Sequence, residues 1–175
     1  RSLLSPLERE VLDRTALFVA PFEMAALAAV CRDLTSDVTA AAQGLRELGL
    51  LARAPGAAGA EPRWQPPAAD DENAPAVPAE AAARRFTEWF ASLAQQLAAE
   101  LAGSQAAQAL AAFDADHENF FAALAHAHRL GETRGLCEAV RGLADYWARS
   151  GAWQRADRWV LLATEASATL PGTDR

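Results

Sequence analysis

The residues of this 175-residue chain with the most chemical promise are three histidines, two cysteines and an acidic run, "DADHEN", at 114–119. His126 and His128 stand two positions apart, so on a helix of 3.6 residues per turn they point about 200° from one another and cannot share an ion. His117 falls roughly on the side of His126 but too far along the axis to join it. Packed or solvent-facing histidines are expected, with no metal site. The acids Asp114, Asp116 and Glu118 would suit a divalent ion or an acid–base step if they converged. At a helix start they would instead satisfy free amides and complement the dipole, and that cap is the role expected of them. Cys31 and Cys137 belong to no CxxC pair or ligand cluster, which predicts buried free thiols in a reducing cytosol.

All sixteen basic residues are arginine. Without lysine there is no GxxxxGK[ST] phosphate loop, no Schiff base and no lysine general base. No serine, histidine and acid are spaced as a nucleophilic set, so the chain is expected not to be an enzyme. With a net charge of −7 and a pI near 5.0, nucleic acid and anionic membranes are poor partners. Charge within about ten residues interrupts every apolar stretch, short of the roughly 20 residues that span a bilayer. The composition, 51% hydrophobic, predicts a soluble, globular, cytoplasmic protein. An arginine stands first and no leader follows it, the expected look of a fragment cut from a longer protein.

The elements that would position these residues are mostly helices. Ser5-Pro6 is a cap followed by a first-turn proline, and Leu7, Val11, Leu12 and Ala16 recur at helical spacing. A second helix is expected over about Phe22 to Cys31. A third follows the capping candidates Thr35 and Ser36, with Val38, Ala41, Ala42, Leu45 and Leu48 as its apolar stripe and Gly49 as its stop. Residues 50–53 and 61–65 then read as two short strands of a hairpin. Three helices and a small hairpin outline a winged helix over residues 1–66. Within it seven arginines meet eight acids, and the third helix carries only Asp37, Arg46 and Glu47 as charged residues, so contact with DNA is not expected.

Prolines and acids over 67–78 read as an extended linker. Residues 79–175 are expected to be helical, with breaks near Gly103-Ser104, Phe113-Asp114, Leu130-Gly131 and Ser150-Gly151. Three of the five tryptophans, Trp147, Trp153 and Trp159, flank the last break and are expected to pack between helices. Ala156, Val160 and Ala163 are expected to form the inner face of the final helix.

Leu143-Ala144, Trp147, Gly151, Trp153, Ala156, Val160 and Ala163 fall at the relative spacings of a tetratricopeptide repeat, and one such unit matches. The wider order of motifs resembles bacterial STAND-type signalling ATPases, which include many LuxR-type and antibiotic-regulatory transcription factors. The similar stretches are residues 4–31 with Leu17-Phe18, Phe22 and Val30-Cys31, then "LRELGLL" at 45–51, and "AAFDADHENFFAALAHAHRLGE" at 111–132. "YWARSGAWQRADRWVLLA" at 146–163 continues the likeness into helical repeats. The family's nucleotide-sensing histidine is not carried over, because no histidine precedes His117.

The fold expected is therefore mainly α: a winged helix, then antiparallel tetratricopeptide-like hairpins. The resemblance implies a non-catalytic regulatory fragment of a multidomain ATPase or transcriptional regulator, coupling a protein partner to a nucleotide-binding core. ATP or ADP would belong to the parent, and no cofactor to this fragment. A stand-alone adaptor that binds a protein or peptide is the alternative, and a winged-helix DNA binder the third. Arg149, Arg155 and Arg158 are the candidate partner-binding residues, although solvated arginines whose stems cover apolar surface would look the same.

Overall fold

The computed structural model describes residues 4–34, 37–55, 62–66, 76 and 78–168. Among the described residues the chain is mainly helical, with one small antiparallel sheet. It divides into two compact units, Arg1–Phe86 and Thr87–Arg175, so the division falls inside a helix rather than in the proline-rich stretch. Most of that stretch, 67–75 and 77, lies outside the described residues.

In the first unit, α1 (Pro6–Thr15) begins on a capping box: Glu8 N–H donates to Ser5 Oγ at 3.2 Å, and Ser5 N–H donates to the Glu8 carboxylate at 2.8 Å. The expected second helix is shorter than its sequence suggests. Phe22–Glu23 form strand β1, and only Met24–Val30 form α2. Pro21 is the physical reason, since it biases Ala20 away from helical geometry and lets Phe22 pair with Trp64. Helix α3 (Val38–Glu47) is capped by Asp37, which accepts from Ala40 N–H at 3.0 Å; Thr35 and Ser36 lie outside the described residues. Ala41, Ala42 and Leu45 face inward, but Leu48 is 47% exposed because the helix ends there and Gly49 turns the chain with φ +73°.

Strands β2 (Ala52–Arg53) and β3 (Arg63–Gln65) pair as the sequence predicts, with Arg53 opposite Trp64. The sheet nevertheless has three strands, in the order β1-β3-β2, because β1 adds to the outer edge of β3. Arg63 fastens that edge: its guanidinium donates to the Pro21 carbonyl and meets Glu23 at 3.2 Å. Leu12, Leu27, Leu45 and Trp64 are buried, and Phe18 stacks on Phe22 with centroids 4.0 Å apart.

Helix α4 (Glu80–Leu101) gives its first turns to this unit. Phe86 meets Phe18 edge to face at 5.1 Å. Arg85 Nε donates to the Val30 carbonyl at 2.8 Å, and its Nη2 lies 2.9 Å from Asp33. Arg14, only 5% exposed, donates to the same carbonyl and the same carboxylate and also pairs with Glu10. Two guanidiniums thus close around the end of α2, satisfying a backbone acceptor left free there. They hold the Asp33 carboxyl below its ordinary range, chiefly through the Arg14 hydrogen bond.

In the second unit the rest of α4 packs with α5 (Ala106–Arg129), α6 (Thr133–Ser150) and α7 (Trp153–Ser167). The breaks expected near 103, 130 and 150 are present. The break expected at Phe113-Asp114 is not: α5 runs through it, since no glycine or proline interrupts 105–129. Successive helices run antiparallel. Phe90 meets Phe120 at 5.3 Å, Tyr146 reaches back to Asp114, and the Cys137 thiol donates to the Ala163 carbonyl at 3.4 Å. Gly151, with φ +73°, makes the turn between α6 and α7 in a conformation that a side chain resists.

Candidate functional site

The residues of the repeat signature and the three candidate arginines meet in the α5–α6–α7 layer. Leu143 and Trp147 of α6 are buried, and Ala144 half-buried. From α7, Ala156, Trp159 and Ala163 turn inward at positions i, i+3 and i+7. Val160 is therefore not part of the inner face as the sequence suggests; Trp159 takes that role, and Val160 is 36% exposed. Small residues flanking Trp159 let α7 approach while the indole fills the space between them. The expectation that all three tryptophans pack between helices fails at Trp153, which is 43% exposed at the start of α7, a position with no neighbouring turn to cover it.

The arginines do different jobs. Arg155 makes a two-pronged pair with Glu118, at 2.6 and 3.0 Å, and lays its guanidinium 4.3 Å from the Phe121 ring centre. Its bidentate geometry and its cation–π contact join α7 to α5. Arg158 sits over Trp159 of its own helix at 5.3 Å, and Arg149 is exposed in the last turn of α6, where its charge complements the helix dipole.

The acidic run is not a helix cap, contrary to its reading from sequence. It lies in the middle of α5, where each acid finds a side-chain partner. Asp114 accepts from the Tyr146 hydroxyl at 2.7 Å, the buried Asp116 accepts from Asn119 at 3.0 Å, and Glu118 takes Arg155. Asn119 is a neighbour on α5 itself, but Tyr146 and Arg155 come from α6 and α7, so position along the chain gave no sign of those two. Burial, reinforced by the Asp114 hydrogen bond, raises the Tyr146 hydroxyl above its usual range. The Arg155 hydrogen bond lowers Glu118.

His117 lies among these groups. Its ring meets Phe121 edge-on at 4.9 Å and Tyr146 at 5.9 Å, and its Nδ1 is 3.8 Å from Glu118. Its Nε2 is buried without a hydrogen-bond partner among the described residues, as is Trp147 Nε1. Burial depresses its basicity more than Glu118 and Asp114 restore it. His126 is directed elsewhere, to within 3.0 Å of Arg129 Nη2, and His128 is exposed. Among the described residues no three of His, Cys, Asp or Glu are grouped to hold a metal ion.

The first unit offers a cleft of about 260 Å³ beside the sheet, with Met24, Trp64, Glu23, Thr39, Gln43 and Arg53 in its lining. Arg53 stands over the Trp64 ring at 5.3 Å. One acid and one base flank the cleft, so no single charge dominates it. Among the described residues no helix is long and apolar enough to cross a membrane. Compared with known proteins, the chain matches no family model, no curated protein and no solved structure.

Proposed function

We propose that this chain is a non-catalytic regulatory segment that binds a protein partner through its helical layer and passes that event to a nucleotide-binding core elsewhere in a longer polypeptide. The observation that carries the reading is the α6–α7 hairpin. Leu143, Trp147, Ala156 and Ala163 are buried within it and Gly151 makes its turn, while Trp153 and Val160 remain outside. A tetratricopeptide hairpin divides its signature in this manner when one flank awaits another element.

The first unit supports the same reading. Its element order α1-β1-α2-α3-β2-β3 and sheet order β1-β3-β2 suit a winged helix. Its balanced charge favours packing against protein over binding to phosphate. A winged helix followed by helical repeats accords with the motif order of STAND-type ATPases and LuxR-type or antibiotic-regulatory regulators. In such a protein, partner binding on the repeats would favour one of two arrangements of the core through a rigid-body shift.

Calorimetry of this chain against the separately expressed nucleotide-binding portion of its parent, first with ADP and then with ATP, tests the proposal. Binding that differs between the nucleotides is the expected result. No binding with either would overturn the coupling and leave a stand-alone adaptor as the better reading.

A further inference from the structure

The outer face of α7 carries a largely apolar stripe that the described residues of the second unit leave open. Trp153, Asp157, Val160, Leu161 and Thr164 are all exposed and follow at i, i+4, i+7, i+8 and i+11, the repeat of a single helix face. Leu161 is 60% exposed and Trp153 43%. Along one rim of this stripe stand Arg158 and Glu165, both exposed and seven positions apart.

The pattern is self-complementary in one orientation. Place a second α7 antiparallel to the first, with the twofold axis between Val160 and Leu161. Val160 then lies beside Leu161 of the other copy, Asp157 beside Thr164, and the large Trp153 over the small Ala168. In an antiparallel pair the same rim of each helix faces its equivalent. Arg158 of one copy therefore reaches Glu165 of the other, and symmetry makes that ion pair twice. The two helix dipoles oppose one another, which also favours the arrangement. A parallel pairing would set Asp157 against Asp157 and carry Arg158 and Glu165 to opposite rims, where they could not pair.

We propose that α7 is a self-association surface, at which a second copy of this chain docks antiparallel about Val160 and Leu161. A single pair of helices of this length, roughly 22 Å, belongs to the small, transient class of interfaces. Dissociation in the range of tens of micromolar is expected, on the order of the weakest specific contacts. This surface concerns the chain alone and does not depend on the coupling to a nucleotide-binding core.

Sedimentation velocity over a concentration series of the whole chain tests it. A reversible monomer–dimer equilibrium is expected, and Leu161→Glu, an exposed change that leaves the circular dichroism spectrum intact, should weaken it by at least about tenfold through loss of apolar burial. Arg158→Glu and Glu165→Arg should each weaken it roughly tenfold by setting like charges together twice, and the double exchange should return it to near the original value. A chain that stays monomeric throughout, a dimer indifferent to Leu161→Glu, or a double exchange that restores nothing would each overturn the proposal.

Discussion

Gly142 of α6 lies against the backbone of Ala94 in α4, so closely that a Cβ on Gly142 would stand 2.6 Å from the Ala94 carbonyl carbon and 2.9 Å from its oxygen. The obstacle is backbone, which cannot swing aside as a side chain does. Gly142→Ala should therefore destabilise the fold by about 1–3 kcal/mol, the range for overpacking, and against the usual helical preference for alanine. Urea denaturation would show a lowered midpoint. Gly135→Ala is the control, because its Cβ would meet side chains alone, Thr87 Cγ2 at 3.4 Å and Glu132 Cβ at 3.9 Å, and little loss or a small gain is expected there.

The node of Arg14, Asp33 and Arg85 makes a second prediction. Asp33→Asn removes the charge that two guanidiniums share, one of them 5% exposed, and should cost roughly 1–3 kcal/mol with Asp33 itself partly solvated. The Asp33 carboxyl is depressed in the folded protein, so its contribution is fully present above the unfolded value near 3.9 and fades as pH falls through the lower folded value. Acid unfolding of the Asp33→Asn variant, compared with the parent chain, should show a correspondingly flatter dependence below about pH 4.

His117 is expected to titrate below the ordinary histidine value near 6.5, because burial disfavours its cation. A depressed base binds more protons when unfolded, so stability should fall as pH drops from about 6.5 through the folded midpoint. An NMR titration of the His117 ring gives that midpoint directly. His117→Gln should remove this part of the acid sensitivity while leaving the step below pH 4 that Asp33 contributes.

The two thiols should separate under a disulfide-exchange reagent. Burial pushes the Cys31 thiol up to about 11, whereas Cys137 is only half-buried. At pH 8 Cys137 should react first and Cys31 only on unfolding. Because the Cys31 value is raised, its contribution to stability is present below the unfolded value near 8.5 and is lost as pH rises toward about 11.

Local signals carried much of the fold. Ser5-Pro6 announced α1, Gly131 and Gly151 marked the turns around α6, and the alternation of small and large residues over 143–163 located the last hairpin. What escaped was long-range. Phe22 became a strand because Trp64, forty-two positions later, offered an edge to pair with. Asp114 looked like a cap because Tyr146, its partner, stands on another helix. Arg155, read as a candidate for partner binding, is spoken for by Glu118 and Phe121 for the same reason. The periodicity of α7 was clear, but its phase was not: the inner face is set by Trp159, and Val160 falls one position outside it.

Arg85 stands well past residues 67–75 in the chain, yet its side chain closes on Val30 and Asp33. A protease that cut anywhere in 67–75 would therefore sever the covalent path without undoing this clasp. The nicked halves should co-elute on a sizing column, and acid or salt should weaken their association by loosening the grip of Arg85 on the end of α2, while the packing of Phe86 on Phe18 remains.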